Sequence, residues 1–254
     1  AALGCGYLYY VENCRGFTMN LQNYKYKYDL HVHTSPVSKC GDIDPIGCVD
    51  RYMELGFSGF ALTNHFGATV LRDFKTKEDF MKFYMHDFFE AKKYGDEKGF
   101  DVIFGLEIRF PESTNEYLVY GISEEDAYNA YDYIFGNYEE FYKGFKNDKN
   151  VILQAHPYRH PCFLQNIDIL DGIEVFNMHP HHNSCVSLAA RTAQENPRLI
   201  ISGGTDFHHE GHQGLCALCS EERIENSFAL SSLLKSRNYI FDVCGNKILP
   251  YNFH

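Results

Sequence analysis

Two histidines separated by one residue, His31-Val32-His33, stand at the end of an apolar run that begins near Tyr28. On an extended strand, residues two apart project from one face, so both imidazoles can converge on one ion. Neutral imidazole together with carboxylate suits Zn, Mn or Fe. The same residue types recur where other apolar runs stop. His65 follows FALTN, Glu107 follows VIFGL, His156 follows VILQA, and Asp206 and His208 follow LIISGG. A lone histidine at a strand end is usually a hydrogen-bonded structural group; the repetition along the chain carries the reading. A carboxylate shared between two cations lowers their mutual repulsion, and a pair of ions can stabilise both the attacking and the leaving oxygen of a displacement.

The elements that must position these side chains follow from periodicity. KYDLHV, GFALTNH, DVIFGLEI, EYLVYGI, VILQAHP, GIEVFN and LIISGGTD read as short β-rich runs. Between them lie helical patterns at PIGCVDRYMELG and near residues 76–95, 124–145, 184–195 and 227–236. This alternation predicts an α/β fold of βαβ units around a mostly parallel sheet, whose C-terminal edge is where such folds build their sites. No repeat or Ser/Gly linker interrupts the chain, and 254 residues with 44% hydrophobic content support one core. The expected organisation is a single domain over residues 19–254, with residues 1–18 as an N-terminal extension.

Composition narrows the partners. With 23 Lys+Arg against 34 Asp+Glu, the formal charge of −11 argues against a nucleic-acid backbone as ligand. Nine cysteines at irregular spacing, with neither a signal-like segment nor an apolar run of membrane-spanning length, point to a cytoplasmic protein with reduced thiols and no membrane contact. Cys216-Ala217-Leu218-Cys219 lacks a second CxxC and alternates with apolar residues, as structural thiols on a buried strand do.

The ordered set DLHVHTS (29–35), TNH (63–65), GLEI (105–108), AHP (155–157), GIEVFN (172–177) and GTDFH (204–208) resembles the PHP domain, named for polymerases and histidinol phosphatase. The match runs from about Tyr28 to beyond His208. The resemblance implies a distorted seven-stranded (β/α) barrel, TIM-like, with two to three divalent metal ions at its C-terminal rim and hydrolysis of phosphoesters. Carried over residue by residue, it makes His31, His33 and Asp206 ligands of a first ion. Glu107 bridges to a second, which His156 also holds, and His65 and His208 match the ligands of a third. Two departures make the third site the weakest. Asn64 stands where many relatives carry an acid, and the loop after His33 lacks their usual His or Asp ligand, leaving Cys40 or Asp42 as substitutes, or Cys40 as a packed thiol. Glu116, where relatives often have a metal-binding His, reads either as a carboxylate ligand or as a solvated acid. Glu174 reads as an acceptor for a ligand His or as a substrate contact.

For substrate recognition, Arg109 follows Glu107 by two residues and Arg159 follows His156 by three. A guanidinium clamps phosphate bidentately, though either can pair with a surface acid instead. His179, His181 and His182 after GIEVFN could bind phosphate, shuttle protons or stand in solvent. The expected activity is hydrolysis of a small phosphomonoester by a metal-activated water, with Asp206, Glu107, His208, Arg159 and Arg109 as the catalytic set. The alternatives are a phosphodiesterase or exonuclease on oligonucleotides, an amidohydrolase on a related barrel, and a non-catalytic metal-binding domain.

Overall fold

The computed structural model describes residues 10–12, 18–71 and 74–251. Most of the N-terminal stretch set apart in the sequence therefore lies outside the described residues; Tyr10–Glu12 (β1) pairs antiparallel with Thr18–Asn20 (β2). The β-branched and aromatic runs form the strands that follow: β3 (Tyr26–Val32), β4 (Gly59–Leu62), β5 (His65–Gly67), β6 (Asp101–Phe104), β7 (Leu106–Arg109) and β8 (Glu116–Tyr120). They continue with β9 (Val151–Gln154), β10 (Gly172–Asn177), β11 (Ile200–Gly204), β12 (Cys216–Ser220), β13 (Ile240–Val243) and β14 (Asn246–Ile248). The helices are α1 (Pro45–Glu54), α2 (Ala68–Leu71), α3 (Lys77–Lys98), α4 (Glu124–Ala130), α5 (Tyr138–Phe145), α6 (Val186–Glu195) and α7 (Ser227–Ser236).

Local chemistry sets several boundaries. Asp44 caps α1 just before Pro45, Thr76 caps α3, and Gly99 ends α3 in the left-handed region at φ 74°. The helical pattern over 124–145 is broken in the structure. Ser123 and Asp126 form a capping box that starts α4, and Asn137 caps a new helix, α5, after a 3-10 turn.

Two six-stranded sheets result, in the orders β11-β10-β9-β8-β7-β5 and β14-β13-β12-β3-β4-β6. They are mixed rather than mostly parallel. β8 runs antiparallel to both β7 and β9, because residues 110–115 form a short return with no crossover helix. β12 is likewise antiparallel to β3. The reversal of β8 matters for function, since it pairs Glu116, at the start of its strand, with Arg109 at the end of β7. A strand beginning thus sits on the rim where the parallel strands finish. Between the sheets, Phe207 and β3 exchange backbone hydrogen bonds (His33 N to Phe207 O, 3.0 Å; Phe207 N to His31 O, 3.1 Å). At the other junction Gly105 N donates to Leu62 O and Glu107 N to Asn64 O.

The aromatic-rich α3 buttresses this rim. Phe80 and Tyr84 pack on Phe66, with ring centroids 5.3 and 4.9 Å away, and the Tyr84 hydroxyl donates to Asn64 O at 2.7 Å. Gly204 has a defined purpose beside β3: a Cβ there would lie 2.6 Å from the Cβ of His31. No helix among the described residues is long and apolar enough to cross a membrane.

Candidate metal centre

His31, at the end of β3, and His33, just beyond it, are fully buried, as are Glu107 on β7, His156 after β9 and Asp206 after β11. Two of these residues leave their strands in the left-handed region, His156 at φ 28° and Asp206 at φ 57°. Such a step costs a non-glycine residue about 1–3 kcal/mol and concentrates at functional sites.

Glu107 is the hub. Its Oε1 lies 3.1 Å from His31 Nε2 and 3.2 Å from His156 Nε2, while Oε2 lies 3.4 Å from His33 Nε2 and 2.7 Å from His65 Nδ1. Asp206 Oδ1 approaches the Nε2 atoms of His31 and His33 at 3.5 and 3.4 Å, and His208 Nδ1 at 3.4 Å. Glu116 completes the ring from β8, with its carboxylate 3.4 Å from His156 Nε2 and 3.8 Å from His65 Nδ1. All eight residues singled out as metal-binding in the sequence therefore converge. Three groups have donor atoms within 4.8 Å of one another: His31, His33 and Glu107; His33, His65 and His208; His65, Glu107 and Glu116.

The donors fit divalent ions. His31 Nε2 and His33 Nε2 are buried without an aligned hydrogen-bond partner, and Glu107 Oε2 has only the His65 ring, 2.7 Å away. Left so, each would carry a desolvation cost of about 1–3 kcal/mol, and a cation between them removes it. Hydrogen bonds behind the rings fix which nitrogen is bare. His31 Nδ1 contacts Glu174 Oε1 at 3.0 Å, so the neutral ring carries its proton there and presents the Nε2 lone pair inward. Glu174 Oε2 in turn accepts from His156 N at 3.0 Å and Asn177 Nδ2 at 2.9 Å. Behind His33, the Ser38 hydroxyl donates to Asn64 Oδ1 at 2.8 Å, so its oxygen must accept from His33 Nδ1 at 3.1 Å. Asn64 also accepts from Thr34 N and donates to Thr34 Oγ1, which is bonded to Asp87. The amide at position 64 thus serves as donor and acceptor in the loop that holds His33.

Electrostatics express the crowding. Burial opposes charge on His31, yet Asp206, Glu174 and Glu107 raise its pKa well above the imidazole range. Against the same desolvation, Glu107 raises His65, and bonds to Cys162 and Glu107 push His156 up to about 10. Burial and the neighbouring His208 and His65 hold His33 well below its ordinary value. Burial would raise the carboxyls, but His31 keeps Glu107 and Asp206 well below the carboxylate range. Rings and carboxylates are therefore poised in the charge states that metal ions would otherwise balance.

The centre opens into a cleft of about 480 Å³ bordered by Glu116, Arg159, His179, His181, His182 and His209. Arg159 Nη2 lies 2.6 Å from Asp206 Oδ2 and donates to Asn177 Oδ1 at 2.5 Å. Arg109 is placed differently. It lines an adjoining recess of about 240 Å³ and donates through Nε to Ser113 O at 3.4 Å. Cys216 and Cys219 are buried on β12, away from the cleft. Of three supporting residues, Asn177 stands in the GIEVFN run singled out in the sequence, whereas Ser38 and Asp29 went unremarked. Ser38 and Asn177 hold the ligands as described. Asp29 accepts from His31 N, Thr205 N and the Tyr52 hydroxyl, and burial raises it to about 6. Its signal was available, since residues 29, 31 and 33 alternate along one strand face.

The PHP domain family model matches residues 29–242. Among solved structures, a two-domain protein from Bacteroides vulgatus containing a predicted PHP-like metal-dependent phosphoesterase superposes with a TM-score of 0.61 at 17% identity. The match covers 85% of this chain and 64% of that one, so the chain spans less than two thirds of that relative's length. PsfC from Pseudomonas syringae superposes with a TM-score of 0.59 at 16% identity, covering 82% of this chain and 88% of PsfC. No curated protein matches the sequence. Because the family model covers the strands that carry every candidate ligand, and the architecture is shared with PHP-like structures, the chain belongs to the PHP domain family.

Proposed function

We propose that this protein is a metal-dependent hydrolase of phosphate esters that acts on a small phosphomonoester. The observation that carries the reading is the set of buried, unpartnered donors around Glu107, opening into a cleft with Arg159 on its wall. Two to three divalent ions, Zn, Mn or Fe, are the proposed cofactors, held by His31, His33, His65, Glu107, Glu116, His156, Asp206 and His208. When bound, such ions lower the pKa of a coordinated water and neutralise charge on the transferring phosphoryl group. The chain's own residues do the rest. Glu107 and Asp206 balance the charge, and Glu174 and Ser38 hold the His31 and His33 rings with Nε2 inward. Arg159 offers a guanidinium beside Asp206 to a phosphate oxygen. Arg109, in the adjoining recess, is proposed to contact the leaving group.

A cleft of about 480 Å³ suits a small phosphorylated substrate better than a polymer, and the net charge of −11 supports the same choice. We also propose one domain over residues 19–254, a cytoplasmic location, and closure of the two sheets into a distorted seven-strand barrel. The hydrogen bonds joining Phe207 to β3 and Gly105 to Leu62 support that closure.

The test is release of inorganic phosphate from a panel of sugar, amino-alcohol and nucleotide monophosphates, by protein loaded separately with Zn, Mn or Fe. Chelator-sensitive turnover of a monoester that Asp206→Ala abolishes is the expected result. Activity confined to a dinucleotide or an amide would reject the reading in favour of that chemistry, and silence on every class would favour a non-catalytic metal-binding domain.

A further inference from the structure

If the metal centre hydrolyses a phosphomonoester as proposed above, the alcohol it releases must lie beside the ions. The recess of about 240 Å³ is placed to receive it, because it shares His65, Glu107 and Glu116 with the larger cleft. Phe66 and Val70 give the recess an apolar wall, and Arg109 and Lys39 are its cations. Such a lining suits a short carbon chain that ends in a charged group.

Arg109 differs from the other arginines in what it holds. Among the described residues, Arg51, Arg159, Arg191 and Arg223 each bring a guanidinium nitrogen within 2.9 Å of a carboxylate oxygen, while Arg198 and Arg237 donate to backbone carbonyls. The half-buried Arg109 has only the 3.4 Å bond from Nε to Ser113 O. Glu116, its register partner on β8, turns its carboxylate to His156 and His65 instead. In a chain with 34 Asp+Glu against 23 Lys+Arg, a guanidinium that pairs with none of those acids is available to the acid of a ligand. Its position sets the spacing. Arg109 follows Glu107 by two residues on β7, so both side chains leave the same face, about 6.5 Å apart along the strand. A phosphoryl group at the ions and an acid on Arg109 are therefore joined by a short chain.

We propose that the alcohol of the substrate carries a second anionic group, a carboxylate or a phosphate, and that Arg109 selects it. The proposal rests on the phosphoesterase reading, in which the charges of Glu107 and Glu116 are balanced by ions; Arg109 then sets the sign of the recess. Phe66 and Val70 receive the carbon chain. The two arginines divide the substrate between them, Arg159 at the phosphoryl group that every monoester shares and Arg109 at the group that distinguishes one monoester from another.

The experiment measures binding rather than turnover. Calorimetry on the metal-loaded full chain compares butylphosphonate, γ-phosphonobutyrate, and butane carrying a phosphonate at each end; these share one head and differ at the far end of the chain. One of the two acids should bind about 10- to 100-fold more tightly than butylphosphonate, the size of one charge-assisted contact, and which of them does so identifies the group. Arg109→Gln should erase that preference with metal content unchanged, and Arg109→Lys should restore part of it. Arg159→Ala should weaken all three ligands alike. Equal affinities in the wild type, or a preference that survives Arg109→Gln, overturn this assignment and leave the phosphoesterase reading standing. Butylphosphonate that binds the metal-loaded chain no better than the metal-free chain overturns that reading instead, and no binding of any of the three overturns both.

Discussion

Glu174 is not itself a proposed metal ligand, yet replacing it by Gln should weaken the hold on one ion through His31. Its Oε1 faces His31 Nδ1 at 3.0 Å, and its Oε2 accepts from His156 N at 3.0 Å and Asn177 Nδ2 at 2.9 Å. A Gln of the same shape must put its NH₂ at one of these two places. At the Oε2 position it faces two donors and breaks two bonds. Hydrogen bonds to a charged group contribute about 1.5–3 kcal/mol each, so that orientation loses about 3–6 kcal/mol. At the Oε1 position it breaks only one, and is preferred. There the amide N–H needs an acceptor, which moves the His31 ring proton from Nδ1 to Nε2 and blocks the lone pair facing Glu107. Metal affinity at that position should fall about 10- to 100-fold or more, while folding stability drops by only about 1.5–3 kcal/mol. Elemental analysis after dialysis against graded chelator measures the first and urea unfolding the second. Wild-type stoichiometry and affinity in Glu174→Gln would refute the reasoning.

Arg159→Ala removes a guanidinium that reaches Asp206 and borders the cleft. Inhibition by inorganic phosphate should weaken about tenfold to hundredfold, and an unchanged inhibition constant would remove Arg159 from phosphate binding. In the metal-free protein, and against the effect of burial, carboxylates hold His31 and His65 well above the imidazole range, and His156 stands near 10. These rings carry protons at neutral pH that bound ions must displace, so affinity rises with pH across the neutral range. Calorimetry in buffers of different ionisation enthalpy should show proton release on metal uptake, and binding that is flat with pH would contradict the assignment. A chain shortened to begin at Met19 loses β1 and its pairing with β2 but none of the strands of the two six-stranded sheets. It should stay folded with full metal content, and insolubility or metal loss would make the removed residues part of the structure.

Much of the centre could be read from strand-end residues, for a physical reason. Period-two alternation places His31 and His33 on one face, and ligand types do not otherwise gather at the ends of apolar runs. Pairing direction was less legible. The run EYLVYGI looks the same whichever way it is crossed, and only the short return over 110–115 makes β8 antiparallel and carries Glu116 to the rim. The break between α4 and α5 was missed because apolar spacing continues through it, whereas capping by Ser123 and Asn137 decides it. Asn64 looked like a lost charge in the sequence. Its worth lies in donating to Thr34 while accepting from Ser38, a relation between residues far apart in the chain that no local pattern encodes.

The left-handed steps at His156 and Asp206 set two demands on this protein against each other. Glycine adopts such angles freely, so at either position it would relieve the backbone and remove a buried ionisable group, while deleting a proposed metal donor. Selection for thermal resistance of the metal-free chain would draw both positions towards glycine, and selection for ion retention would hold them as His and Asp. His and Asp at these left-handed positions are what ion retention would require. A programme to harden this scaffold by stability alone would begin by dismantling its centre.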